Sequence, residues 1–225
     1  GLWQFIGSTG RMYDLSIDRY IDERRDAEKS TVAAATFLKD LYEDFGDWHL
    51  AVAAYNPGPG KIRKGMAKYQ VDNFWDLAKT DYLALETKRY VPKLIAAIIM
   101  GRQPEKFGFD TSAIASPLSF DTLKVKPGIT LDAVALIADT KTEIIKDLNQ
   151  ELRTGRVPNR GGSYLVKIPE GTQQLASKNL KRLHAYASTG YKTHRAQRGE
   201  SVQTISKKYD LSTTALLNVN NLRSS

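Results

Sequence analysis

A few short stretches of this 225-residue chain gather side chains able to hold a sugar. Tyr55 and Asn56 stand directly before the double break Pro57-Gly58-Pro59-Gly60. A phenol stacks on the face of a sugar ring and also hydrogen-bonds. Asn56 has two readings, a contact to a ligand or a backbone bond that fixes the turn. Glu86 and Tyr90 are one helical turn apart and so share a face. Gln4 adds an amide that donates and accepts at hydroxyl or acetamido groups, or else satisfies backbone at a helix end. Glu86 also has a plain role, because the helix dipole favours a carboxylate in the first turn.

Helices must carry these groups. Val32, Ala33, Ala34, Phe37, Leu38, Leu41, Tyr42 and Phe45 keep one apolar face at helical spacing. Asp26 or Ser30 can cap that helix, and Gly46 ends it. Asp47 caps a second, Trp48 to Tyr55, which the Pro-Gly pairs terminate. A polar helix is expected from Lys61 to Tyr69. Another runs from Glu86 to Met100 with Leu94, Ile95, Ile98 and Ile99 buried, and Pro92 either kinks it or sits in its first turn. Trp48 and Trp75 are assigned to the core. Asp22-Glu23-Arg24-Arg25-Asp26 is read as ion pairing around a loop.

The texture changes near Ser116. Phe120 to Lys126 alternates like a half-buried strand and Pro127-Gly128 breaks it. Thr130 to Ala138 reads as a helix. Thr140-Lys141-Thr142-Glu143 reads as a capping box for a second, Glu143 to Leu148. Tyr164 to Ile168 is the closing strand, ended by Pro169. Gln173 to Ala187 suits a helix in a basic connector. The pattern then restarts, with His194 to Gln197 as a strand, Gly199-Glu200-Ser201 as a turn and helix start, and Val202, Ile205 and Tyr209 facing one way. A helix from Ser212 to Asn218 completes an internal repeat whose closing strand is not reached by Ser225.

An apolar share of 41% suffices for an ordinary core. Without cysteine there are no disulfides or thiolate metal sites, and His49, His184 and His194 form no pair at metal-ligand spacing. The net charge of +8 is uneven: residues 1–110 balance, whereas residues 169–225 hold nine basic side chains against three acidic. Such a tail suits a polyanionic surface. It lacks regular aromatic interleaving, which argues against nucleic acid. No P-loop, dinucleotide fingerprint, zinc motif or Ser-His-Asp order is present.

Gly1-Leu2-Trp3-Gln4-Phe5, Ala54-Tyr55-Asn56-Pro57-Gly58 and Glu86-Thr87-Lys88-Arg89-Tyr90, in this order, resemble the groove of lytic murein transglycosylases of the goose-lysozyme-like class. That resemblance covers residues 1–108. Residues 118–170 and 193–225 resemble LysM modules, the first divergent at Pro127-Gly128-Ile129. It implies an α+β, mostly α architecture, in which a lysozyme-like helical domain (1–110) precedes small βααβ modules at 117–170 and 193–225, joined by a basic linker (171–192). It implies cleavage between N-acetylmuramic acid and N-acetylglucosamine by one glutamic acid, giving a 1,6-anhydro product. The Glu-Ser pair of that family precedes its Gly-Leu-x-Gln motif, so the catalytic acid is expected upstream of Gly1 and no residue of this chain is assigned to it. Gln4, Tyr55, Asn56, Glu86 and Tyr90 are the implied substrate contacts, and Gly199, Glu200 and Ser201 the glycan contacts of the last module. The implied partner is the peptidoglycan strand, with no cofactor, no metal and no nucleic acid. The resemblance further implies a periplasmic monomer, attached to the outer membrane of a Gram-negative cell by a lipid ahead of this chain. The alternative is a LysM adaptor that grips glycan without cutting it.

Overall fold

The computed structural model describes residues 1–113, 117–159, 161–187, 194–220 and 222. Its helices are α1 (Gly7–Met12), α2 (Ala27–Phe45), α3 (Trp48–Tyr55), α4 (Pro59–Tyr69), α5 (Phe74–Lys79) and α6 (Leu85–Arg102). Strand β1 (Phe120–Val125), helices α7 (Leu131–Ile137) and α8 (Thr142–Leu148) and strand β2 (Tyr164–Pro169) follow, then α9 (Gln173–Ala187), α10 (Val202–Lys208) and α11 (Thr213–Val219). The fold is α+β and mostly helical. Two compact units form, Thr31–Ser116 and, together, Gly1–Ser30 with Pro117–Ser225. No described helix is long and apolar enough to cross a membrane.

The helical unit is built by local caps. Asp47 accepts from the Leu50 N–H at 2.8 Å and starts α3. Gly46, at φ +67°, gives its N–H to the Tyr42 carbonyl and closes α2. Leu50, Ala54, Ile62, Phe74, Leu77 and Val91 make the centre of the core.

Several expected core residues lie outside it. Trp48 is 54% exposed and stacks on Tyr42, while Trp75 is 45% exposed. The sequence places Phe74 and Trp75 side by side on a short helix, and Phe74 takes the inward position. Val32 and Tyr42 of α2 are exposed, and Ala33, Ala34 and Leu41 carry the buried stripe. On α6 the buried stripe is Thr87 and Val91 with Ile95 packed alongside, four residues apart each time. Leu94, Ile98 and Ile99 are exposed. Pro92 lies well inside α6 rather than in its first turn.

In the other unit β1 and β2 pair antiparallel, Leu123 facing Val166 and Val125 facing Tyr164. Val134 of α7 and Ile145 of α8 close over that pair, with Ala176 of α9 beside them. Thr130 caps α7 through the Ala133 N–H. The capping box expected at α8 does not form: Lys141 occupies the N-cap position without a side-chain bond, and Thr140 and Thr142 are buried. Gln173 to Ala187 is helical as expected, and 188–192 of the connector, Asn221 and the last three residues lie outside the described residues.

No strand forms at His194 to Gln197. His194 is held instead by side chains, its Nε2 lying 2.8 Å from Glu200 Oε2 and its Nδ1 3.0 Å from the Tyr209 hydroxyl.

Residues 1–30, read from sequence with the helical segment, pack against the βααβ module. Ile21 bridges to Leu152 and the Arg153 N–H donates to the Tyr20 carbonyl at 2.9 Å. The acidic-basic run supplies ion pairs, as its composition suggests: Arg24 to Asp22 at 2.7 Å and Asp26 to Lys167 at 2.9 Å. Asp26 also caps α2, accepting from the Glu28 and Lys29 N–H groups.

Glu151 is only 2% exposed. Its Oε1 accepts from the Tyr164 hydroxyl at 3.1 Å, and its Oε2 has no hydrogen-bond partner among the described residues. Burial, with the nearby Asp26 charge added, holds this carboxyl above its ordinary value. The folded chain therefore keeps a proton that the unfolded chain has released above about pH 4.3. Stability falls as pH rises through the window between that value and the raised one. Glu151→Gln should flatten this slope, gaining about 1 kcal/mol at about pH 7.5 and nothing near pH 4. Urea melts at both pH values check it.

Candidate functional site

The end of α3 and the start of α6 bring Tyr55, Asn56, Glu86 and Tyr90 into one cluster. Tyr55 is the last residue of α3 and Asn56 its C-cap. Gly58, at φ +91°, donates its N–H to the Ala54 carbonyl at 2.9 Å and turns the chain into α4. A side chain at that φ is strained, which explains glycine there.

Asn56 spans the two helices. Its Oδ1 accepts from the Thr87 hydroxyl at 2.8 Å, and its Nδ2 faces Glu86 Oε1 at 3.5 Å. Thr87 is buried and was not singled out from the sequence. Its signal was its place on the Thr87–Val91 stripe, where an inward hydroxyl needs a partner. Both bonds go to side chains of α6 rather than to backbone, and Asn56 remains exposed, which leaves a polar edge open to solvent.

Tyr55 packs on Phe37 with ring centroids 5.2 Å apart. Burial first, and Tyr90 second, push its phenol up to about 12. Burial likewise raises Tyr90. Both rings therefore keep their protons at any physiological pH and can donate hydrogen bonds. Two half-buried tyrosine rings, an exposed amide and an exposed carboxylate together make a surface able to stack on a ring and to hydrogen-bond polar groups.

Gln4 belongs to the other unit. It lies in the turn ahead of α1 at φ +52°, not at a helix end, and its Nε2 donates to the Gly1 carbonyl at 2.6 Å. In the last module Gly199 has φ +91° and Ser201 caps α10 through the Thr204 N–H at 3.1 Å. Glu200 accepts from the Gln197 N–H and from His194, and these bonds, in that order, hold its carboxyl below the ordinary value. Both residues are thus already bonded within the module. No cluster of three or more metal-ligating side chains stands among the described residues.

Residues 1–77 match the transglycosylase SLT domain. Residues 119–185 match the LysM-like domain of lytic transglycosylase MltD, and residues 194–225 the LysM domain. Gln4, Tyr55 and Asn56 fall inside the first match, and Glu86 and Tyr90 beyond its end. The membrane-bound lytic murein transglycosylase D of Escherichia coli strain K12 and that of strain O6:H1 are each 28% identical to the chain, over all of its length and 52% of theirs. The chain thus spans about half the length of these relatives. Along its length it is similar first to a transglycosylase SLT domain and then to LysM-like domains.

Proposed function

We propose that this chain is part of a peptidoglycan lytic transglycosylase that cleaves the β-1,4 bond between N-acetylmuramic acid and N-acetylglucosamine. The observation that supports it most is the Tyr55–Asn56 turn, pinned by Thr87, inside the stretch that matches the SLT domain. In the proposed reaction a glutamic acid ahead of Gly1 protonates the glycosidic oxygen. The sugar's C6 hydroxyl then closes on C1, returning its proton to that carboxylate and leaving a 1,6-anhydro end. Tyr55 and Tyr90 donate hydrogen bonds to the bound sugars, Asn56 and Glu86 shape the polar edge, and Gln4 is a further proposed substrate contact. The last LysM module, through the Gly199-Glu200-Ser201 turn, holds the enzyme on the polymer and raises local substrate concentration. The working form is a monomer in the periplasm, tied to the outer membrane by a lipid ahead of this chain.

The complete protein, given purified sacculi, should release anhydro-muropeptides. Tyr55→Phe removes one donor and should lower the rate about tenfold. Glu86→Gln should keep the rate within about threefold, because Glu86 is not the acid that protonates the leaving oxygen. Sacculi bound without release of anhydro products would replace this reading with the adaptor. Loss of all activity in Glu86→Gln would move the acid to Glu86.

A further inference from the structure

The loop after α8 and the segment around Arg25 border a cleft of about 490 Å³ in the unit formed by residues 1–30 and 117–225. Arg25, Lys146 and Arg153 line it, against the single carboxylate of Asp147. Among the described residues Arg25 and Lys146 form no ion pair, and Asp147 is the one carboxylate that lines the cleft with them. Arg153 spends one guanidinium nitrogen on the Asp18 carbonyl at 3.0 Å, and its charge also helps to hold the Asp22 carboxyl below the ordinary value. Asn149, also in the lining, has both ends of its amide committed to backbone. What the cleft offers a ligand is therefore positive charge.

The N-acetylated sugar rings of the strand are neutral and offer three cations nothing to hold. A carboxylate does, because guanidinium and ammonium groups bind it by charge-assisted hydrogen bonds. The volume suits one branch of a small ligand rather than a stretch of polymer. We propose that this cleft binds a carboxylate of the acidic peptide carried by the glycan strand, so that the LysM-like module reads peptide-bearing glycan rather than bare sugar. This rests on the peptidoglycan reading above, and the probes below separate the two.

The test is calorimetric titration of the 225-residue chain with three probes: N-acetylglucosaminyl-anhydromuramyl tetrapeptide, the same disaccharide without peptide and with its lactyl carboxyl capped as the amide, and N-acetylglucosamine tetramer. The peptide-bearing probe should bind at least about tenfold more tightly than the capped, uncharged disaccharide. The Arg25→Gln/Lys146→Gln double variant should erase that advantage while leaving tetramer binding and the thermal melt unchanged, since both side chains are exposed. Equal binding of the two disaccharides by the parent chain overturns the proposal, as does a preference that survives in the double variant. Competition by inorganic phosphate as strong as by the free peptide also overturns it, leaving an unselective anion cleft. Loss of tetramer and disaccharide binding, with binding of the free tetrapeptide retained and still dependent on Arg25 and Lys146, sinks the glycan reading and leaves the carboxylate site standing.

Discussion

Lys167→Met should cost about 3–5 kcal/mol of stability, the largest effect of any single change expected here. The Lys167 ammonium lies 2.9 Å from Asp26 Oδ2, and their side chains are 14% and 3% exposed. It also sits over the Phe120 ring. Burial opposes ionisation of Asp26. The bond from Lys167, the Lys29 amide and the two ammonium charges outweigh it and keep the carboxyl below its ordinary value. Removing the ammonium leaves a buried anion facing the already crowded Glu151. A compensating change locates the cost. Asp26→Asn in the Lys167→Met background keeps an acceptor for the Glu28 and Lys29 N–H groups and removes the charge. It should restore at least about half the loss in urea melts near neutral pH. If the single variant loses less than about 1 kcal/mol, the pair is not holding residues 1–30 to the module.

Asn149→Ala should cost about 3 kcal/mol, through three hydrogen bonds made by one buried side chain. Its Nδ2 donates to the Ile145 carbonyl at 2.7 Å and the Lys167 carbonyl at 2.8 Å, while its Oδ1 accepts from the Lys167 N–H at 2.8 Å. Alanine strands both backbone groups of Lys167 in the interior. Asn149→Asp should be worse than alanine at neutral pH, by about 1 kcal/mol or more, because a carboxylate oxygen then faces two carbonyl oxygens. Acidification should narrow the gap as the aspartate takes up a proton. Chemical melts of both variants near pH 7 and pH 4.5 decide the order.

How far the sequence speaks depends on how local each interaction is. α3 was legible from Asp47 to Asn56 because its cap and its Pro-Gly stop are neighbours in the chain. The βααβ order was legible because period and turn residues change together at Pro127-Gly128 and at the closing strand that Pro169 ends. Tyr55 with Asn56, and Glu86 with Tyr90, were named as pairs, and the structure joins the pairs through Asn56 and Glu86. Thr87, Asn149, Glu151 and Lys167 were not read because their partners lie far away in sequence or on backbone that no pattern marks. α6 misled for another reason. Its aliphatic residues occupy more than one face, and helical spacing alone does not say which face finds a neighbour. At His194 the alternation expected of a strand gave way to a bonded trio with Glu200 and Tyr209.

The β-bridge between Ile21 and Leu152, made by the Asp22 N–H on the Glu151 carbonyl and the Arg153 N–H on the Tyr20 carbonyl, bears on how this protein can be dissected. A fragment that holds the SLT-matching stretch would ordinarily be trimmed just before β1, after the helices have ended. That cut would remove Glu151, Leu152, Arg153 and Lys167, the groups against which residues 16–26 are moored. The stretch that carries Gln4 would then hang from α2 by one end. A shortened version that loses stability would be reporting a lost foundation for residues 1–30 as much as the missing module.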